Sequence, residues 1–153
     1  MITTPTNFER TAAWLAACGK TPNPDGLSTQ IGCHLEEMTE FLDTITLESS
    51  TGITSAAMQE VSAVLKSLAD NIKKGYAKAV ILDREAALDA LVDMDVTGNG
   101  VAYMAGFNKP EGDRRVLDAN DDKMNQDGTP VILLGGKIGK REGWAPADLS
   151  DLV

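Results

Sequence analysis

Residues 27–47 read LSTQIGCHLEEMTEFLDTITL, and this stretch predicts a long amphipathic helix. Its apolar residues recur at alternating spacings of four and three, a pattern typical of a seam that packs against other helices. They are Ile31, Leu35, Met38, Leu42 and Ile45. Glu36, Glu37 and Glu40 fall within an arc of about 100° on the side opposite this seam. The stretch therefore predicts helix packing on one side and a carboxylate cluster on the other.

Similar patterns predict three more long helices and a short fifth one. The predicted bounds are 7–18, 56–74, 84–105 and 111–124. Gly19, Gly75 and Gly106 each follow a predicted helix and should end it. The apolar face of the third helix is predicted from its periodicity. It comprises Val61, Val64, Leu65, Leu68 and Ile72.

These elements predict an all-α fold whose core is an antiparallel four-helix bundle. The short helix would be additional to the bundle. Residues 125–153, where Asp127-Gly128 and Gly135-Gly136 bracket an apolar run, are predicted to form an extended C-terminal arm or a small hairpin. A chain of 153 residues with 42% hydrophobic residues is predicted to be a single domain, 1–153.

Composition excludes several kinds of partner. A net charge of -9 argues against nucleic acid, whose binding depends on clustered lysine and arginine. Cys18 and Cys33 are too few for a disulfide framework, which favours a reduced, cytoplasmic protein. We find neither a signal-peptide pattern nor an apolar run near the roughly 18 residues of a membrane span, so no membrane partner is expected.

A second acidic pair lies in the predicted fourth helix. Asp89 and Asp93 are one turn apart, so their carboxylates share a face and repel each other. A divalent cation would offset such repulsion in both acidic helices, and carboxylate oxygens are the ligands that Mg²⁺ and Mn²⁺ prefer. The alternative for either cluster is a solvated surface, because charged side chains are mostly exposed.

The same helix carries polar and small residues on its apolar side. Asp95 and Asn99 project there, so they either pair across an interface or line a pocket for a polar ligand. Gly98 and Gly100 are poor helix formers, which predicts that another backbone or a ligand approaches closely at these positions.

Six segments in order carry a family resemblance. EEMTE, LDALVDMDV, ANDDKM, DGTPV, GGKIGK and GWAPADL, between residues 14 and 149, together resemble the MazG-like all-α nucleoside triphosphate pyrophosphohydrolases. The order of the segments is more specific than any one of them. The chain is also similar to the phage-borne branch of that family and to its MazZ type, which acts on deoxyguanosine triphosphate.

The resemblance implies hydrolysis of a nucleoside triphosphate, such as dGTP, to the monophosphate and pyrophosphate. It implies two or more Mg²⁺ or Mn²⁺ ions per site, which would neutralise the phosphates and activate a water. The family's EExxE motif maps onto the glutamates of residues 36–40, and the final acid of its ExxD motif maps onto Asp93. The implied catalytic residues are Glu36, Glu37, Glu40 and Asp93. The implied metal ligands are Glu36, Glu37, Glu40, Asp89 and Asp93.

The chain departs from the family at the second motif. Ala90 stands where the first acid of ExxD is expected, and Asp89 is the nearest replacement. The number of metals is therefore open. Glu36 has two alternative roles, as an additional ligand or as the general base that takes a proton from the attacking water.

Two substrate contacts are also implied by the resemblance, since Asn120 and Lys123 would contact the phosphates or the sugar. The residue types themselves add that the other lysines would supply positive charge in an acidic chain and that the indoles would stack on a base. The substrate-binding set is Asn120, Lys123, Lys137, Lys140, Trp14 and Trp144. The alternatives are that the lysines serve solubility and that the indoles serve packing.

The oligomeric state is predicted from the same family resemblance and from the apolar seams of the helices. Family members are dimers or tetramers, and a homo-oligomer is expected here. Two rival functions remain open. One is a non-catalytic helical scaffold or binding protein, and the other is a nucleotide phosphohydrolase that releases orthophosphate.

Overall fold

The computed structural model describes residues 4–48 and 55–153. Within these residues the chain is all-α, as predicted, with five α-helices and no β-strand. The helices are α1 (Asn7–Ala17), α2 (Pro24–Leu42), α3 (Ser55–Lys73), α4 (Arg84–Ala105) and α5 (Lys109–Asp121), and a short 3₁₀ helix follows at Leu134–Gly136. No helix in the described residues is long and apolar enough to cross a membrane.

The chain divides into two compact units. Unit 1 contains α1, α4, α5 and the C-terminal segment, and it comprises Met1–Thr21, Ile81–Val131 and Ile138–Val153. Unit 2 contains α2, α3 and the 3₁₀ helix, and it comprises Pro22–Val80 and Ile132–Lys137. The single domain and the four-helix bundle core stay predictions.

Local capping chemistry explains the helix ends that agree with the sequence pattern. At α1, the Thr6 hydroxyl accepts from the Glu9 amide at 3.2 Å and the Thr6 amide donates to the Glu9 carboxylate at 2.7 Å, which forms a capping box. At α4, Asp83 accepts from two amides of the first turn, and Gly106 follows the last turn with a φ of +79°. Such a φ favours glycine, so α4 ends where its sequence predicts.

The predicted bounds of α2 are wrong at both ends. The helix begins at Pro24 instead of residue 27, because the Asn23 side chain caps it and proline is well suited to the first turn. It ends at Leu42 instead of residue 47. The Thr44 hydroxyl there donates to the Phe41 carbonyl at 2.7 Å, a local hydrogen bond that competes with helix continuation.

The contact between α2 and α3 is made mostly by small residues. The two helices are antiparallel, because Gly32 lies against Ile72 near the end of α3 while the Asp43 carboxylate, just after α2, accepts from Ser62 at 2.6 Å. A Cβ on Gly32 would lie only 3.0 Å from the Ile72 side chain. The buried residues are Ser28, Gly32 and Thr39 on α2, and Ser62, Ala69, Ile72 and Lys73 on α3.

The predicted apolar seams of α2 and α3 make only part of this contact. Ile72 is buried in it, but other members of the two seams are exposed. Met38 is 39% exposed and Val64 is 69% exposed. On each helix the small residues lie about 100° around the axis from the apolar stripe. They make the contact because small side chains let two helix backbones approach closely. Much of each apolar stripe is therefore left exposed on this pair of helices.

In unit 1, arginines join α5 to its neighbours. Arg10 on α1 donates to Asp118 at 2.9 Å and to Asp121 at 2.8 Å. Arg115 on α5 pairs with Asp151 of the C-terminal segment at 2.5 Å, and Leu152 beside it is buried. Part of the predicted C-terminal arm therefore packs along α5 in unit 1.

The start and end of α5 also differ from the prediction. Asn108 caps the helix and Pro110 occupies its first turn, so α5 begins at Lys109 instead of residue 111. It ends at Asp121, three residues before the predicted end.

The pKa of Glu111 predicts a pH dependence of stability. Hydrogen bonds from Arg114 and then Arg115 lower this pKa from 4.5 to about 2. Because the folded-state pKa lies below the unfolded value, the ionised carboxylate stabilises the fold above about pH 4.5, and that contribution is lost as the pH falls towards 2. We expect the difference in unfolding free energy between the wild type and Glu111→Gln to shrink over this interval. Urea titrations at a series of pH values would measure it, and a difference that does not change with pH would contradict the assignment.

The glycines and polar residues of α4 are in open surroundings. A Cβ at Gly98 or at Gly100 would meet nothing within 4 Å among the described residues. The predicted close approach is therefore not made by this part of the chain. Asp95 and Asn99 are exposed as well, so they neither pair across a packed core nor line a closed pocket here.

Candidate functional site

The three glutamates of α2 have different surroundings. Glu37 and Glu40 are exposed, whereas Glu36 is half-buried. The Lys73 ammonium lies 2.5 Å from Oε1 of Glu36, and the Lys137 ammonium lies 2.6 Å from its Oε2. Both oxygens of this carboxylate thus accept from lysines, one at the end of α3 and one in the segment after the 3₁₀ helix.

The rotation of α2 explains this difference. At 100° per residue, Glu36 lies about 40° from Gly32 and about 60° from Thr39, which both face α3. Burial of Glu36 raises its pKa, but the hydrogen bonds from Lys137 and Lys73 together lower it further, and the result lies below the ordinary value. Glu36 is therefore held as an anion inside unit 2.

The acidic pair of α4 lies in unit 1. Asp89 and Asp93 are both exposed, as is Ala90 between them. The carbonyl of Asp93 accepts from the Thr97 hydroxyl at 2.8 Å, an interaction within the helix that does not use the Asp93 carboxylate. Both carboxylates therefore lie at the surface of unit 1.

Four of the predicted substrate-binding residues come together in unit 1. The Lys123 ammonium lies 5.5 Å from the centre of the Trp14 ring and 5.6 Å from that of Trp144. The Lys140 ammonium lies 4.3 Å from the Trp144 ring centre. These distances all fall within the range of cation–π attraction. Two cations and two indoles therefore form one cluster, which we call the Trp-Lys cluster (Trp14, Lys123, Lys140 and Trp144).

The two indoles differ in how they are held. The Trp144 N–H donates to the Ala119 carbonyl at 2.7 Å, which fixes the C-terminal segment to α5 beside the half-buried Asn120. The Trp14 N–H is buried and has no hydrogen-bond partner among the described residues. The Trp14 ring also borders a cavity of about 310 Å³. That cavity is lined by Arg10, Ala13, Trp14, Ala17, Asp121 and Met124.

Lys137 is separate from this cluster. It belongs to unit 2, where its ammonium pairs with Glu36. Lys73, the second partner of that carboxylate, was not predicted from the sequence. The sequence does contain a signal for this role, because Lys73 falls on the same side of α3 as Ser62 and Ala69. The prediction missed it because the packing face was assigned to the large apolar residues and not to the small ones.

No group of three or more His, Cys, Asp or Glu side chains in residues 4–48 and 55–153 is arranged to hold a metal ion. Glu37 and Glu40 are the exposed carboxylates of the segment EEMTE, and their spacing of three places them on neighbouring turns of α2. No protein-family model matches the chain, and no curated protein or solved structure matches it either.

Proposed function

We propose that the protein hydrolyses a nucleoside triphosphate, most favourably a deoxynucleoside triphosphate such as dGTP, to the monophosphate and pyrophosphate. The observation that carries the proposal is the Trp-Lys cluster, which gathers two ammonium groups and two indole faces within a chain of net charge -9. Aromatic faces suit a nucleobase and ammonium groups suit phosphates. The ordered sequence resemblance and the exposed carboxylates of α2 and α4 support the same reaction.

Metal dependence follows from charge. A triphosphate approaching exposed carboxylates would be repelled unless divalent cations reverse the local field. Glu37 and Glu40 on α2 fit this role because their oxygens are exposed hard ligands, and the resemblance adds Asp93 and Asp89 on α4. Two or more Mg²⁺ or Mn²⁺ ions, when bound, would neutralise phosphate charge and make a coordinated water more acidic.

The residues of the chain would then have separate tasks. Lys123 and Lys140 would exchange their contacts with the indoles for contacts with phosphate oxygens, which are stronger partners because they are fully charged. Trp14 would offer a stacking face beside its cavity, while Trp144 stays hydrogen-bonded to Ala119. Asn120, next to that hydrogen bond, would donate to the sugar or to a phosphate.

A homo-oligomer, a dimer or a tetramer, is part of the proposal. Leu88 is 64% exposed, and several other apolar residues of α4 and of the α2–α3 pair are exposed too. A helix with apolar residues on all sides is usually covered by another helix. Burial in a second copy would account for these surfaces, and that copy would complete the set of metal ligands. A reducing cytoplasm fits the free thiols of Cys18 and Cys33.

The test is a panel of the eight common ribo- and deoxyribonucleoside triphosphates with Mg²⁺ or Mn²⁺, with pyrophosphate and orthophosphate assayed separately. We expect metal-dependent pyrophosphate release, abolished by a chelator, with dGTP among the best substrates. Orthophosphate alone would favour the alternative phosphohydrolase. If neither product forms with any nucleotide while the protein binds other proteins through its apolar surfaces, the scaffold would be the better account.

A further inference from the structure

The carboxylate of Glu36 joins two separate parts of unit 2. Its Oε1 accepts from Lys73 at 2.5 Å and its Oε2 accepts from Lys137 at 2.6 Å. The side chain of Lys73 is 9% exposed and that of Glu36 is 25% exposed, so this pairing is only weakly screened by solvent. Charge-assisted hydrogen bonds already use both oxygens of Glu36, which leaves it poorly placed to bind a cation.

The segment that carries Lys137 contacts the same two helices through its backbone. The Thr29 hydroxyl of α2 donates to the Gly135 carbonyl at 3.0 Å. Gly135 also lies so close to the end of α3 that an added Cβ would overlap the Lys73 carbonyl oxygen. A hydrogen bond of 2.8 Å from the Leu133 amide to the Lys137 carbonyl closes the turn. We call residues 133–137 the glycine loop.

We propose that Glu36 is a positioning residue that anchors Lys137 and the glycine loop to α2 and α3, and that metal binding on α2 belongs to Glu37 and Glu40. The geometry supports this division, because Glu36 faces α3 while the other two glutamates are exposed. Because both of its oxygens already accept from lysines, Glu36 is also poorly placed to take a proton as the general base. The assignment of metal binding to Glu37 and Glu40 rests on the proposed function, and that of Lys137 to substrate binding rests on the sequence analysis. The anchoring rests on neither.

Hydrogen exchange measured by mass spectrometry tests the anchoring without any assay of activity. The variants are Glu36→Gln and Lys137→Met, and Lys74→Met is the matched control because Lys74 is an exposed neighbour of Lys73. We expect the glycine loop to exchange about tenfold faster or more in both variants and at the wild-type rate in the control. The double variant should exchange no faster than the faster single variant, because both changes remove one interaction.

Unchanged exchange of the glycine loop in Lys137→Met would overturn the anchoring. If Glu36→Gln fails to fold, Lys137→Met still decides the question, because it leaves the ion pair of Glu36 with Lys73 intact. Lys137→Arg should give slow exchange, since an arginine keeps a positively charged N–H donor for the Glu36 carboxylate.

Metal binding and kinetics test the division of roles. Mn²⁺ titrations should give Glu36→Gln an affinity within about threefold of wild type, and Glu37→Gln an affinity at least about tenfold weaker. In the nucleotide assay, Glu36→Gln and Lys137→Met should raise KM to a similar extent, with a smaller effect on kcat. A loss of Mn²⁺ affinity in Glu36→Gln equal to that in Glu37→Gln would make Glu36 a ligand and overturn the division. If the wild type neither binds Mn²⁺ nor cleaves nucleotides, the proposed function fails, and the exchange experiment still decides the anchoring.

Discussion

Replacing Glu37 with Gln should lower metal-dependent pyrophosphate release by about 10²–10³-fold, which corresponds to about 3–4 kcal/mol of transition-state stabilisation. Gln keeps the size of the side chain and one oxygen but removes the negative charge that holds a hard cation. Glu37 is exposed, so the substitution opens no cavity and should leave the fold intact. The measurement is kcat/KM for the best nucleotide at saturating Mg²⁺, with circular dichroism to verify helix content.

Glu60→Gln is the matched control for this change. Glu60 is an exposed glutamate on α3, also in unit 2, and it has no assigned role in the site. We expect wild-type kcat/KM for this variant. Full activity of Glu37→Gln would remove Glu37 from the site, and equal losses in the two variants would show a general effect of lowering the acidic charge.

Replacing Gly135 with Ala should cause a large loss of stability for the addition of a single methyl group. Gly135 has a φ of +77°, and its added Cβ would overlap the Lys73 carbonyl oxygen. The conformation costs about 1–2 kcal/mol for a residue with a side chain. The forced displacement of the glycine loop adds about 1–3 kcal/mol. Urea unfolding followed by circular dichroism would measure the loss of unfolding free energy.

Gly75→Ala isolates the conformational part of this effect. Gly75 belongs to the same unit and has a φ of +76°, but a Cβ there would meet nothing within 4 Å among the described residues. We expect this variant to lose only the first of the two contributions. Equal losses in the two variants would show that the close contact with Lys73 adds nothing to the loss of unfolding free energy. They would weaken the case for an anchored glycine loop.

Helix positions were largely predictable from short-range signals. Asp83 and Gly106 bound α4 where the pattern places them, because a cap and a left-handed glycine act on adjacent backbone groups. Where the predicted bounds of α2 were wrong, at Pro24 and Leu42, the reason was also local. Pro24 lies before the predicted start of α2, although proline suits the first turn of a helix.

The packing faces were not predictable in the same way. Apolar periodicity indicated a seam at Met38 and Val64, yet the α2–α3 contact uses Gly32 and Ala69. Periodicity identifies which residues avoid water, but it does not say which neighbour covers them. Close approach of two backbones depends on small side chains at matching heights on both helices, a property of the pair and not of either sequence segment.

In the candidate site, too, some features depend on the sequence alone and others on the tertiary structure. The sequence alone determined the all-α class, the helix caps and the positions of the acidic residues, since these depend on neighbours along the chain. Only the tertiary structure brought Trp14, Lys123, Lys140 and Trp144 together and turned Glu36 towards Lys73 and Lys137. The three glutamates of α2 share one sequence motif, but their charges act differently because the rotation of α2 against α3 turns one towards two lysines and leaves two exposed.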